Sequence, residues 1–173
     1  MKPTFEREQA FGLSGSFYSK CKLFPSTFWP ADLKEVSSLA KLDDLYFPFP
    51  WSKKAWVDLG DVSESYALAV LRDCSSECVA FGLWKISDLE GLAHLLKVLV
   101  IPKWRGKGLG VSFLQSSLDY FTKSGLFNFY LEVEEANKSA LSTYESLGFK
   151  KLHKALNFYG AGLDAVKMGK FLE

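Results

Sequence analysis

Apolar residues run nearly unbroken, or alternate with polar ones, over Tyr66 to Arg72, Cys78 to Ile86, Leu92 to Ile101 and Leu126 to Val133. Lengths of seven to ten residues, β-branched and aromatic content, and turn-forming flanks predict strands there. The first two read as a hairpin through the polar Asp73 to Glu77 turn. On the fourth, Phe127, Phe129, Leu131 and Val133 point one way and Asn128, Tyr130 and Glu132 the other. Upstream, the pattern predicts a short strand around Cys21 to Phe24. A helix follows from about Ala31 to Leu42, with Leu33, Val36, Leu39 and Ala40 inward, and then a short helix after Ser52. Pro102 stops the third long strand. A helical period begins near Lys107 and places Val111, Leu114, Leu118 and Phe121 on one face, up to the break at Ser124-Gly125. Asn137 as N-cap and Gly148 as C′ residue bracket another helix. Lys150 to Phe158 and Asp164 to Phe171 form a last hairpin around Gly160 and Gly162. The result is a mixed α/β sheet with helices on both faces.

Composition narrows the class. The chain has 173 residues, 48% hydrophobic and 24% charged, enough for one domain with a substantial core. A net charge of +1 offers no global attraction to nucleic acid. Met1 to Gln9 carries Glu6 and Glu8 and no apolar signal core, and no run is long enough to span a bilayer, so the cytoplasm is the expected compartment and no membrane partner is expected. Three cysteines, Cys21, Cys74 and Cys78, are an odd set suited to a reducing compartment. With only His94 and His153 to join them, and no paired C-x-x-C spacing, no metal site is expected. His94, inside an apolar strand, reads as a hydrogen-bonded sheet residue, with the option of a catalytic base left open by histidine chemistry.

The segment Arg105-Gly106-Lys107-Gly108-Leu109-Gly110 lies between a strand and a helix. Free backbone N–H groups and the positive dipole end of a helix attract anions there, and residues without Cβ admit a pyrophosphate to the main chain. A P-loop would require a Lys-Ser/Thr pair that this loop lacks, and a dinucleotide fingerprint would require glycine at Val111. Asn137 and Tyr144, nearly two turns apart, share one helix face.

The Arg-x-x-Gly-x-Gly motif after a strand resembles that of the GCN5-related N-acetyltransferase superfamily. Leu131-Glu132-Val133, Asn137, Ala140, Tyr144-Glu145-Ser146-Leu147-Gly148-Phe149, Phe49-Pro50-Trp51-Ser52 and Asp164-Ala165 with Met168 look like its ribosomal-protein-alanine N-acetyltransferase subgroup. The resemblance covers roughly Trp29 to Met168, so residues 1–22 stand as an extension of unassigned role before an N-acetyltransferase domain over 23–173. It implies a mostly antiparallel sheet with a central splayed parallel strand pair and flanking helices. It also implies acetyl-CoA as co-substrate, its pantetheine along Val98, Leu99 and Val100. The pyrophosphate would lie on Arg105, Gly106, Lys107, Gly108, Leu109, Gly110 and Val111, and Asn137 would be a further cofactor contact. By the same resemblance Glu132 is the general base, its pKa raised in a partly dehydrated cleft, and Tyr144 the acid that protonates the departing sulfur. Glu134 and Glu135 are competing bases, and a strand amide near Val100 would meet the oxyanion.

The acceptor amine is read from the stiff loop Tyr46-Phe47-Pro48-Phe49-Pro50-Trp51, which in the resembling subgroup lines the entry of a protein N-terminus together with the terminal hairpin and Tyr159. The expected acceptor is therefore a protein α-amine. A small-molecule amine, or a non-catalytic acyl-CoA-binding module, are the alternatives. Two departures stand out: the segment up to about Leu23 matches nothing in the family, and Ile101 stands where an acid often precedes the proline.

Overall fold

The computed structural model describes residues 24–27, 33–59 and 65–173. Its elements are β1 (Phe24–Thr27), α1 (Leu33–Tyr46), α2 (Lys53–Asp58), β2 (Tyr66–Arg72), β3 (Cys78–Ser87), β4 (Leu92–Val100), α3 (Leu109–Lys123), β5 (Asn128–Glu134), α4 (Lys138–Ser146), β6 (Lys150–Gly160) and β7 (Leu163–Phe171). The strands form one sheet in the order β1-β2-β3-β4-β5-β7-β6. Every pairing is antiparallel except β4 with β5. The crossover through α3 makes that pair parallel, as a βαβ unit requires.

Each face of the sheet carries its own core. Leu109, Phe113, Leu114, Leu118 and Phe121 of α3 and Leu141 and Tyr144 of α4 pack on one face with Trp84, Phe129, Leu131 and Met168. Val36 and Leu39 of α1 and Trp56 of α2 pack on the other with Leu68, Phe81, Leu83 and Leu99. Burying an apolar side chain of this size contributes about 1.5–3 kcal/mol, so the two layers together hold the sheet between them.

Four local expectations are corrected. The first described strand runs on to Thr27 rather than ending at Phe24, and Cys21 to Leu23 lie outside the described residues; it is an edge strand, the place where a proline such as Pro25 is tolerated. The first helix runs on to Tyr46 rather than ending near Leu42, and Asp43 in its last turn is completely buried; Ala31 and Asp32 lie outside the described residues. Val111 is 37% exposed, with Phe113 and Ser117 taking the inward places, and the helix starts at Leu109 after an αL Gly108 rather than near Lys107. Phe127 is exposed while Leu126 is buried, because the amides of Phe127 and Asn128 both donate to the Gly91 carbonyl and the pleat begins only there.

The register of β4 has one further irregularity. Leu83 of β3 faces Lys97 and its neighbour Trp84 faces Leu95, so Leu96 is an extra residue in β4. Such a bulge shifts the phase of a period-two pattern. Ala93 and Leu95 accordingly join the α3/α4 core, whereas Leu99 joins the α1/α2 core.

Candidate active site

The parallel ladder between β4 and β5 is short. It holds from Leu92 opposite Asn128 to Leu95 opposite Leu131 and then stops, while β4 continues against β3 to Val100 and β5 continues against β7 to Glu134. The strands therefore part at the bulge. Beyond it, the β5-facing backbone edge of Leu96 to Val100 has no strand partner among the described residues. Unpaired strand N–H and C=O groups are ready partners for an extended, amide-bearing ligand. Val98 and Val100 line this edge on the α3 side, and Leu99 turns its side chain into the opposite core, leaving its main chain as the group it can offer.

At the end of β4 a turn of 3-10 helix, Pro102–Trp104, leads into the glycine loop. Gly106 and Gly108 have φ of 73° and 72°, and a Cβ on either would meet no protein atom within 4 Å. Their requirement is thus conformational and their surroundings are open. Gly110 differs in having a neighbour: its Cβ position lies 3.6 Å from Val100 Cγ2, an ordinary contact distance, so helix and strand touch there without requiring glycine. Helix α3 has no side-chain cap and no acid in its first turn. Its first intrahelical donor is Ser112 N–H to Gly108 O, which leaves the N–H groups of Leu109, Gly110 and Val111 without helical acceptors. An anion fits that demand. Arg105 spends its Nε on Val100 O at 2.8 Å, fixing the guanidinium over the end of β4, and Lys107 Nζ lies 5.3 Å from the Trp104 ring centroid.

On the other side of the cleft, Glu132 is held from several directions. Its Oε2 lies 2.7 Å from His94 Nε2, and its Oε1 lies 3.9 Å from Lys167 Nζ on β7. The His94 ring meets Tyr130 edge to face at 4.9 Å. The raised pKa expected for Glu132 is not what this environment produces. Burial pushes it up, but the His94 hydrogen bond, the Tyr130 hydroxyl and the Lys167 ammonium outweigh burial and leave the carboxyl below its ordinary value. Of the competing carboxylates, Glu135 is tied to Lys154 at 2.8 Å, which also holds Asp164 at 2.8 Å.

Tyr144 is buried in the α3/α4 core, its ring 5.9 Å from Phe149. Burial, with a smaller contribution from nearby Tyr159, drives its phenol far above the ordinary value. Tyr159 is itself raised to about 12, by burial and then by the charges of Glu132 and Glu134. The two tyrosines and Glu132 thus share one electrostatic neighbourhood. Asn137 caps α4 by accepting from Ala140 N–H at 3.1 Å, as its sequence position suggests.

An open strand edge that runs into an αL glycine loop and an uncapped helix start is one architecture for an acyl-coenzyme A. The model of the acetyltransferase (GNAT) family matches residues 36–149. The chain belongs to the GNAT acetyltransferase family. The [ribosomal protein bS18]-alanine N-acetyltransferase of Escherichia coli K12 is 32% identical over 111 residues, 64% of this chain and 72% of that protein. N-alpha-acetyltransferase 50 of Danio rerio is 26% identical over 125 residues, 72% of this chain and 74% of its own length. The crystal structure of the ribosomal-protein-S18-alanine N-acetyltransferase from Escherichia coli superposes with a TM-score of 0.76 at 25% identity, covering 87% of this chain and 94% of that one.

This GNAT protein is accordingly an acetyl-CoA-dependent N-acetyltransferase, with acetyl-CoA as co-substrate and an amine as acceptor. Two groups beside its cleft were not assigned from sequence. One is the His94 contact to Glu132, which depends on the parallel register and joins residues 38 apart. The other is a buried ion pair, Lys97 Nζ to Asp43 Oδ1 at 2.7 Å, joining residues 54 apart. Asp43 Oδ2 also accepts from Trp51 N–H and Trp56 Nε1–H, each at 2.8 Å. Lys97 lies under the Phe47 and Trp51 rings at 4.3 and 5.0 Å. Burial lowers the Lys97 pKa, against the opposing pull of Asp43. The pair anchors the aromatic loop to the strand that borders the cleft. At the loop's tip Phe49 stacks on Tyr159, centroids 5.7 Å apart and planes 10° from parallel. The anticipated aromatic wall is therefore assembled from the α1–α2 loop and the terminal hairpin. No helix among the described residues is long and apolar enough to cross a membrane, and no group of three or more His, Cys, Asp or Glu among them converges on a metal position.

Proposed function

We propose that this N-acetyltransferase acetylates the α-amine of a protein or peptide, with the proton acceptor at Glu132 and Tyr144 as the acid for the coenzyme A sulfur. The carrying observation is the Phe49–Tyr159 stack at the Glu132 end of the cleft. A ring pair of this kind suits the backbone and first side chains of an extended peptide, and offers a flexible polyamine few polar partners. The names of the two sequence relatives point the same way.

The chemical roles follow from what each group can hold. Glu132, ionised throughout the neutral range, favours a cationic amine at its oxygens and its conversion to the nucleophile. Tyr144 stays protonated there and keeps a hydrogen for a thiolate. Val98, Leu99 and Val100 would align the pantetheine through their main chains. Arg105 to Val111 would hold the pyrophosphate, and Asn137 would contact the coenzyme beside its cap.

Thiol release measured over short peptides with different N-terminal residues, spermidine and small amino acids tests the acceptor. The expected result is a kcat/KM for at least one peptide tenfold or more above every small amine; the reverse order overturns the α-amine assignment. Tyr144→Phe should keep acetyl-CoA affinity and lose turnover by about ten- to a thousandfold, as one acid catalyst is worth. Full turnover in that variant removes Tyr144 from the chemistry.

A further inference from the structure

Beside the Glu132 carboxylate, and hydrogen-bonded to it, an imidazole offers a second place for a proton taken from an ammonium group. His94 stands on β4 opposite Tyr130, at the next-to-last rung of the parallel ladder, just where the strands part. Its Nε2 lies 2.7 Å from Glu132 Oε2, and its side chain keeps 24% of its surface open. Against an ionised carboxylate, Nε2 is the nitrogen that carries hydrogen, and a neutral imidazole then presents Nδ1 as a lone pair. Nδ1 has no hydrogen-bond partner among the described residues and is not among the buried polar atoms left unpaired, so it reaches solvent.

We infer that the base of this enzyme is a pair: Glu132 fixes the tautomer and orientation of His94, and His94 Nδ1 takes the proton from the acceptor ammonium. This rests on the acetyl-transfer reading above and changes one part of it: the accepting atom moves from Glu132 to the imidazole that Glu132 holds. The carboxylate does for the imidazole what an orienting acid does in a hydrolase triad, steadying the imidazolium without itself becoming protonated. The protons balance. The ammonium loses one to His94 Nδ1, which releases it to solvent through the exposed edge of the ring. The amine nitrogen then bonds to the acetyl carbon and the carbon–sulfur bond breaks as Tyr144 gives its hydrogen to sulfur; the second nitrogen proton passes to His94 Nδ1, emptied by the first release, and on to solvent, from which Tyr144 regains its hydrogen. The charged groups around the ring fit this duty. Lys167 of β7 and Lys85 of β3, the latter in register opposite His94, contribute positive charge. Glu132 supplies the only short anionic contact to the ring among the described residues, and the Tyr130 ring meets it edge to face. Tyr159, coupled to Glu132, and His153, in register with Lys167, come from β6. Asp43 and Lys97, on the same side of the sheet, neutralise each other.

The decisive experiment is the pH profile of kcat at saturating acceptor for wild type, His94→Gln and Glu132→Gln, with acetyl-CoA affinity measured alongside. In wild type kcat should fall along an acid limb as the base takes up its proton. His94→Gln, which keeps a donor for Glu132 but cannot bind a proton, should lose that limb and at least thirtyfold in kcat with acetyl-CoA affinity unchanged. Glu132→Gln should keep the limb at reduced rate. A His94→Gln enzyme with wild-type rate and the wild-type limb overturns the pair and returns the proton to Glu132 alone. If wild type acetylates none of the acceptors, the proposed function fails, and the pair is then read without turnover by NMR of imidazole-labelled protein. A downfield Nε2–H resonance present in wild type and lost in Glu132→Gln supports it, and its absence from wild type overturns it.

Discussion

At the scale of single residues, Glu132 shows how neighbours decide the chemistry of a carboxyl. Its folded pKa lies below the unfolded value of about 4.3. The contacts with His94, Tyr130 and Lys167 therefore stabilise the fold fully above that value, and their contribution disappears as pH falls through the lower folded value. Wild type should exceed Glu132→Gln in stability by about 1–2 kcal/mol at pH 7. Thermal melts of both proteins from pH 7 down to pH 3 should show this gap close. A gap that persists unchanged at pH 3 would mean that packing, and not charge, supports the position.

Among elements, the start of α3 is the one whose function depends most directly on its backbone. Gly108 sits at φ 72° as the residue before the helix, and an L side chain in that region costs about 1–2 kcal/mol. Gly108→Val should therefore lower stability by about that amount and weaken acetyl-CoA binding at least tenfold by calorimetry, because the open space beside the loop would hold two methyl groups. Arg105→Ala should produce a smaller loss that shrinks with added salt. Equal affinity in folded Gly108→Val removes the phosphate role of the loop. This element was legible in the sequence because its signals are local: a proline stop, glycines at alternate positions, then a helical period. The Asn137 cap and the Gly148 terminus of α4, at φ 88°, were legible for the same reason. The partners of His94 and Asp43 were not. Their contacts depend on which strands pair, in which register, and on an extra residue at Leu96 whose phase shift no single-strand pattern announces. Val111 and Phe127 were misplaced because each lies where an element begins, and a period read from the interior does not hold at its first turn or rung.

Across the whole molecule, the Asp43–Lys97 pair joins the α1/α2 layer to the sheet beside the cleft. Both side chains are almost fully buried, at 0% and 4% exposure. Breaking such a pair by removing one partner leaves an uncompensated charge, at a cost of about 3–5 kcal/mol. Lys97→Met should destabilise the protein by that much in urea unfolding, and raise the acceptor KM more than the acetyl-CoA Kd, since the strained part is the loop that carries Trp51 and Phe49. Replacing Asp43 by leucine as well should not restore stability, because Trp51 N–H and Trp56 Nε1–H would then lose their acceptor. Full recovery in the double variant would show that the pair is dispensable to the fold.

The extra residue at Leu96 also makes β4 two strands in sequence space. Upstream of it, odd-numbered positions belong to one core; downstream, odd-numbered positions belong to the other. Each half can exchange side chains under its own rule, so the half with the open strand edge is free to diverge without disturbing the packing under His94. The same arrangement makes chain length at this point unusually consequential. A deletion of one residue here would leave Leu95 opposite Trp84 and Lys97 opposite Leu83, every side chain on its present face, and would remove instead the extra residue at which the two parallel strands part.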